Sequence, residues 1–291
     1  MIPKDLLKKI RRIQIYSSHR VNDVFAGHYH SAFKGRGMEF EEVRAYQIGD
    51  DVRTIDWNVS ARYGHPFVKM YREERELTVM LLVDMSRSHL FGTHNQLKRE
   101  LAAEVCATLA FSAIKNNDKV GLICFTDQVE KFVPAKKGTT HVLRVIRELL
   151  YHQAQGSGTD LAAAFDYLNR VTTRRSVVFL VSDFQARGYE TAMSIAKRRH
   201  DIIPICISDR WEVELPDVGL VELLDAETGQ TVVVDTSSKR LRQEYRAAAL
   251  ATATHRDQLF RRMDIDSVRV ATGEPFDEPL RRFFRKREAR R

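Results

Sequence analysis

Asp84-Met-Ser86-Arg-Ser88 places one carboxylate and two hydroxyls at alternate positions, directly after the apolar run Leu77-Thr-Val-Met-Leu-Leu-Val83. Oxygen donors of this type suit a hard divalent cation, Mg²⁺ first and Mn²⁺ or Ca²⁺ after it, in preference to Zn²⁺. Two oxygens on one Mg²⁺ lie at most about 4.2 Å apart. Alternate residues of a straight strand are separated by about 6.6 Å. The three side chains can therefore meet only if the chain curls immediately after Asp84, and so tight a curl requires short side chains. Two other segments offer oxygens of the same kind: Ser182-Asp183, ending a second apolar run, and Gly156-Ser-Gly-Thr159-Asp160, a glycine loop that opens a helix. Asp84, Asp183, Ser86, Ser88 and Thr159 among them offer two carboxylates and three neutral hydroxyls. If one Asp acts through water, a bound cation keeps positive charge and attracts a further carboxylate from a partner.

The surrounding elements must bring these segments to one edge. Leu77–Asp84, Lys119–Phe125, Ser176–Ser182 and Asp201–Ser208 are strand-length apolar runs of the sort that parallel sheets bury on both faces. Helical spacing marks Leu97–Lys115, Thr140–Tyr151, a segment from Thr159 or Asp160 to Val171, and Tyr189–Arg199. Alternation of strand and helix predicts βαβ units with right-handed crossovers, hence an α/β fold with a mainly parallel, doubly wound sheet. In such sheets, sites form beyond the carboxyl ends of the strands. Val129–Pro134 is expected as a short edge strand. Further on come a hairpin (Leu220–Leu224 with Thr231–Asp235), a long charged helix (Ser237–Met263), a last strand (Asp266–Ala271) and a closing amphipathic helix (Phe276–Arg287). Ahead of the first buried strand, residues 3–12 have helical spacing, and Phe40–Tyr46 and Pro66–Tyr71 are strand candidates. The expected division is a β-rich extension over 1–76 and an α/β domain over 77–291.

The chain has 291 residues, 43% of them hydrophobic, enough for a sizeable core. No apolar run reaches the roughly 18–20 residues of a membrane helix. The N-terminal residues lack a signal-peptide core, so a cytoplasmic location is the default expectation. Cys106, Cys124 and Cys206 each lie in an apolar segment, with no C-x-x-C pattern, and are expected to be buried free thiols. Of the net charge of +8, +6 sits in residues 281–291. That concentration argues for a solvated tail and against a nucleic-acid-binding face.

Asp84, Ser86, Ser88, Thr159 and Asp183, in this order and on these strand ends, resemble the metal-ion-dependent adhesion site of a von Willebrand factor A domain. The resemblance covers about residues 77–210 and implies that these five residues hold one divalent cation, Mg²⁺ first. Phe184 stands where many such domains carry Gly, and His89 where Met is common; neither change removes a ligand. The stretch from Gly37 to Arg62, with Arg44-Ala-Tyr46-Gln-Ile-Gly49-Asp50-Asp51-Val-Arg53 and Asp56-Trp57, is similar to the signature of the bacterial domain of unknown function family 58. Members carry this block ahead of an A-type domain. The resemblance implies a metal-dependent protein-binding module with a partner Asp or Glu, working beside a MoxR-type AAA+ ATPase in a chaperone-like or assembly role.

The alternative is an enzyme: a Mg²⁺-dependent phosphoryl-transfer hydrolase with Asp84 as nucleophile. Haloacid-dehalogenase-like enzymes place a second Asp two residues later as acid/base. Ser86 occupies that position here and cannot serve near neutral pH. There is no Walker-type phosphate loop either. Asp50, Asp51 and Asp56 are expected to close turns and pair with Arg44, Arg53 or Arg62 rather than bind metal. Trp57 is expected to anchor the block on the main sheet, His28-Tyr-His30 to lie in a solvated loop, and Asp160 to cap a helix.

Overall fold

The computed structural model describes residues 23–33, 38–73, 76–93, 96–224 and 229–290. The helix expected over 3–12 lies outside the described residues. Two compact units are present, one made from residues 33–77, the other combining the preceding segment with residues 78 onward. Helix α1 (Asp23–Phe33) replaces the solvated loop expected around His28. Its Tyr29 is buried, sets its ring edge-on to Phe284 with centroids 5.8 Å apart, and donates its hydroxyl to Asp118 at 3.2 Å.

In the 33–77 unit, β1 (Met38–Ala45) pairs antiparallel with β2 (Phe67–Glu73), with a register break between Phe40 and Glu42. Every acidic residue singled out here closes local structure. Asp50 takes both terminal nitrogens of Arg44 at 2.7 and 2.8 Å and accepts Gln47 N. Asp51 caps the turn Val52–Thr54, and Asp56 caps α2 (Trp57–Tyr63) through Asn58 N and Val59 N. Trp57, expected as an anchor, is 71% exposed.

The larger unit is built on the buried runs. β3 (Thr78–Asp84), β4 (Lys119–Phe125), β6 (Val177–Ser182) and β7 (Asp201–Ser208) are parallel, and β5 (Val129–Lys136) runs antiparallel at one edge. The order is β10-β7-β6-β3-β4-β5, with β10 (Val268–Ala271) parallel at the far edge. Helices α3 (Lys98–Lys115) and α4 (Thr139–Tyr151) pack together, as do α5 (Leu161–Val171) and α6 (Glu190–Arg199). Met80, Leu82, Val178 and Leu180 join Leu161, Phe165, Met193 and Phe260 in one core cluster. The alternate residues Val79, Leu81 and Val83 are equally buried on the opposite face. A sheet covered on both faces is why these strands carry almost no polar residue before their carboxyl ends.

The hairpin of β8 (Leu220–Leu224) and β9 (Thr231–Asp235), α7 (Lys239–Arg262) and α8 (Asp277–Ala289) follow in the expected order. The basic end of the chain is not simply solvated. α8 buries Leu280, Phe283 and Phe284, while Lys286 and Arg290 pair with Asp266 and Arg287 with Asp201. All three cysteines are buried and free. Burial pushes the thiols of Cys124 and Cys206 up to about 12. Among the described residues, no helix is long and apolar enough to cross a membrane.

Candidate metal centre

From β3 the chain steps one way in the sheet to β4; from β6 it steps the other way to β7. The crevice between the carboxyl ends of β3 and β6 is therefore the topological switch point, the place where open α/β sheets bind ligands. Asp84 is the last residue of β3, and Asp183 follows the last residue of β6.

The curl required after Asp84 is present. Met85 N donates to Phe125 O at 2.8 Å, which keeps the chain on β4 for one more residue. Ser86 N then turns back to Asp84 Oδ1 at 2.9 Å, and a single 3₁₀ turn, Arg87–Leu90, follows with His89 N on Ser86 O at 3.0 Å. The result brings Ser86 Oγ to 3.0 Å from Ser88 Oγ, and Ser88 Oγ donates to Asp183 Oδ2 at 2.8 Å. Adjacent ligands of an octahedral ion with bonds of about 2.1 Å lie about 3.0 Å apart. These two separations are those of hydrogen bonds and also lie close to that edge length, so the three oxygens are gathered tightly enough to be shared by a small hard cation. Ser86 and Asp84 are fully buried, and Ser88 is half-buried and marks the opening.

Thr159 is carried by the glycine loop. Ser157 O accepts Arg87 N at 3.4 Å, which lays the loop beside the Arg87–Leu90 turn, and Asp160 N donates to Thr126 O at 2.8 Å. Among the described residues, the Thr159 hydroxyl makes no hydrogen bond to the other four. Asp160 caps α5 by accepting Ala163 N at 2.9 Å, as expected. The loop is held from below by Glu130 on β5, whose Oε1 accepts Gly156 N at 2.8 Å, Gln155 N at 3.0 Å and Thr126 Oγ1 at 2.8 Å. Burial raises the Glu130 pKa, but the Gly156 amide, Thr126, His152 and the Gln155 amide together hold it at about 2. A Cβ on Gly156 would collide with Asp127 Oδ1 and Thr126 Oγ1, so only glycine lets the loop sit this close.

Ser182 and His89, which the sequence did not assign as ligands, and Lys98 with Glu212, which it did not single out, surround these residues. Ser182 Oγ donates to Asp84 Oδ2 at 2.7 Å. Lys98, at the start of α3, is fully buried with its ammonium 2.9 Å from Asp183 Oδ2 and 2.5 Å from Glu212 Oε1. Burial alone would lower the Lys98 pKa, but Asp183 and Glu212 raise it. Burial opposes the charge on Asp183; Lys98, His89 and the Ser88 hydroxyl outweigh it and lower its pKa. His89 is fully buried, with Nε2 3.8 Å from Asp84 Oδ2. Phe184 has φ of 58°, a left-handed conformation that explains why glycine suits this position in similar domains.

Sheet order and switch-point location define a von Willebrand A-like α/β fold. The chain belongs to the family described as protein of unknown function DUF58, which matches residues 42–256. The Mycobacterium tuberculosis protein Rv1480, itself described as uncharacterized, is 35% identical over 260 residues, 88% of this chain and 80% of its own length. YeaD of Bacillus subtilis is 30% identical over 107 residues, 37% of this chain and 25% of its own. An aerotolerance-related membrane protein from Bacteroides fragilis has a similar structure, with a TM-score of 0.50 and 16% identity over 74% of this chain and 100% of that one. At that identity the likeness concerns the fold alone. The SpRpn10 VWA domain is more distant, with a TM-score of 0.37 and 12% identity over 70% of this chain and 93% of its own.

Proposed function

We propose that this protein is a protein-binding module whose docking end is a divalent-cation site formed by Asp84, Ser86, Ser88, Thr159 and Asp183, with Mg²⁺ as the first candidate ion. The carrying observation is the octahedral-edge spacing of the Ser86, Ser88 and Asp183 oxygens. When bound, the ion supplies a Lewis-acidic position that an Asp or Glu of a partner can fill. The residues of this chain orient it: Ser182 and the Ser86 amide fix Asp84, Lys98 and Ser88 fix Asp183, and Glu130 holds the loop that bears Thr159. Leu90 and Phe91, just past Ser88, and Trp211, beside Glu212, are exposed. Apolar side chains around a polar centre suit a protein partner. The family resemblance points to a MoxR-type AAA+ ATPase as that partner, in a chaperone-like or assembly role.

The hydrolase reading has less support. Asp84 is fully buried with both carboxylate oxygens engaged, a poor position for a nucleophile. The test is capture of the cognate ATPase by the purified chain in Mg²⁺, in EDTA, and with Asp84→Ala. Capture should need both the ion and Asp84. Equal capture in EDTA would sink the proposal, as would robust Mg²⁺-dependent phosphatase turnover lost in Asp84→Asn.

A further inference from the structure

We propose that His89 is an additional ligand of this centre, making it a mixed nitrogen–oxygen site and moving its preference from the Mg²⁺ of the oxygen-only reading towards Mn²⁺, Co²⁺ or Zn²⁺. The proposal rests on the reading that the centre binds a divalent ion. It starts from an unpaid polar group: the His89 ring is wholly buried, and neither of its nitrogens has a hydrogen-bond partner. Burying an imidazole without partners is unfavourable, and its surroundings should supply a proton acceptor, a water or a metal.

His200 shows that orphaned nitrogens alone do not define a ligand. Its ring is also buried and unpartnered. Burial, Arg199 and Arg175 all lower its pKa, and its surroundings contribute cationic charge rather than carboxylates. His89 differs in what it faces. One ligand atom each from Asp84, His89 and Asp183 lies within 4.8 Å of the others. The 3.8 Å from His89 Nε2 to Asp84 Oδ2 is too long for a hydrogen bond. It falls between the roughly 3.0 Å of adjacent ligands and the roughly 4.2 Å of opposite ligands on a small octahedral ion. It matches neither value, but it lies inside the roughly 4.2 Å that two atoms bonded to one ion can span, so both atoms can reach one ion.

Chain geometry leaves the ring little choice. The 3₁₀ turn that folds Ser88 onto Asp183 also directs residue 89 inward, with its amide on Ser86 O at 3.0 Å. A neutral imidazole beside hard oxygens shifts selectivity along the divalent series away from Mg²⁺.

The experiment uses the full chain, stripped with EDTA and reloaded with one equivalent of Mn²⁺. Pulsed electron paramagnetic resonance reads directly bonded ¹⁴N, and calorimetry reads Mn²⁺, Zn²⁺ and Mg²⁺ affinity. The parent should show one nitrogen coupling, lost in His89→Gln and in Asp84→Asn. His89→Gln should bind Mn²⁺ and Zn²⁺ roughly tenfold or more weakly, while Mg²⁺ affinity changes little. If His89→Gln does not fold, the parent's nitrogen coupling, its absence in Asp84→Asn and the Zn²⁺-over-Mg²⁺ preference decide the matter. Mn²⁺ bound without nitrogen coupling overturns the role of His89 and leaves the oxygen site standing. Failure of the parent to bind any of the three ions overturns the cation site itself.

Discussion

Phe184 offers the sharpest test of how the centre is held. It is a phenylalanine in a conformation meant for glycine, at φ of 58°. For an L-residue this costs about 1–2 kcal/mol. What offsets the strain is visible: the side chain is 3% exposed, with ring centroids 5.2 Å from Phe260 and 6.0 Å from Tyr189. Truncating a buried Phe to Ala costs about 3–5 kcal/mol. Phe184→Ala keeps the strain and loses the packing, so it should cost that full amount. Phe184→Gly loses the same packing but relieves the strain, so it should cost about 2–4 kcal/mol. Gly should therefore be more stable than Ala here by about 1 kcal/mol, the reverse of their order within a helix or strand. Urea unfolding followed by far-ultraviolet circular dichroism measures both variants. A Gly variant no more stable than the Ala variant would refute the strain argument. A Gly variant as stable as the parent would refute the packing argument.

Other parts of the centre respond in different ways. Lys98→Met removes a cation that shares Asp183 with any bound metal, so Mn²⁺ affinity measured by calorimetry should rise by at least about tenfold. The same variant without metal leaves Asp183 buried and unpaired, and should lose about 3–5 kcal/mol of stability in urea, part of it restored by Mn²⁺. Gly156→Ala forces the loop off Thr126 and Asp127 and should weaken cation binding, with the α/β unit still folded by circular dichroism; unchanged affinity would remove Thr159 from the ligand set. The Glu130 carboxyl is held at about 2, below its ordinary 4.5, so its stabilisation is complete above that ordinary value and is lost as pH falls through about 2. The loss is at most about 3 kcal/mol, and nearer 1 after solvent screening. Glu130→Gln should flatten that part of the acid-unfolding curve, and an unaltered curve would show that Glu130 does not hold the loop.

The sheet was legible because its strands are buried on both faces. A run such as Val79–Val83 can hardly be anything else, and observed ends fall within about two residues of expectation for β3, β4, β6 and β7. That Asp84, Ser86, Ser88 and Asp183 meet at the strand ends was legible for a related reason, whereas the Thr159 hydroxyl makes no hydrogen bond to them among the described residues. Polar residues that interrupt an apolar strand must do so at its carboxyl end, where the switch point gathers them. Helix α1 went unread although Phe25, Tyr29, Ala32 and Phe33 recur at helical spacing, because the charge and turn residues around it masked the pattern; Tyr29 is held by Phe284 and Asp118, far along the chain. The charge at the end of the chain misled in the same way, because its apolar partners and its acidic partners, Asp201 and Asp266, come from the sheet side of the fold.

Lys98 and His89 show where a one-dimensional reading stops. Nothing local separates Lys98 from Arg99, yet the first is fully buried against Asp183 and Glu212 and the second reaches the carbonyls of Leu149 and His152. The difference lies in a helix start that points into the crevice between β3 and β6. That crevice already concentrates carboxylates, and a buried carboxylate pair is unfavourable without compensating positive charge. Lys98 is shared between Asp183 and Glu212, and Asp84 faces the His89 ring at 3.8 Å. Under the proposed cation reading, one divalent ion would sit against the Asp84 and Asp183 carboxylates and the orphaned imidazole. Because Lys98 shares Asp183 with any such ion, removing it should change ion affinity more than replacing any one of the hydroxyls.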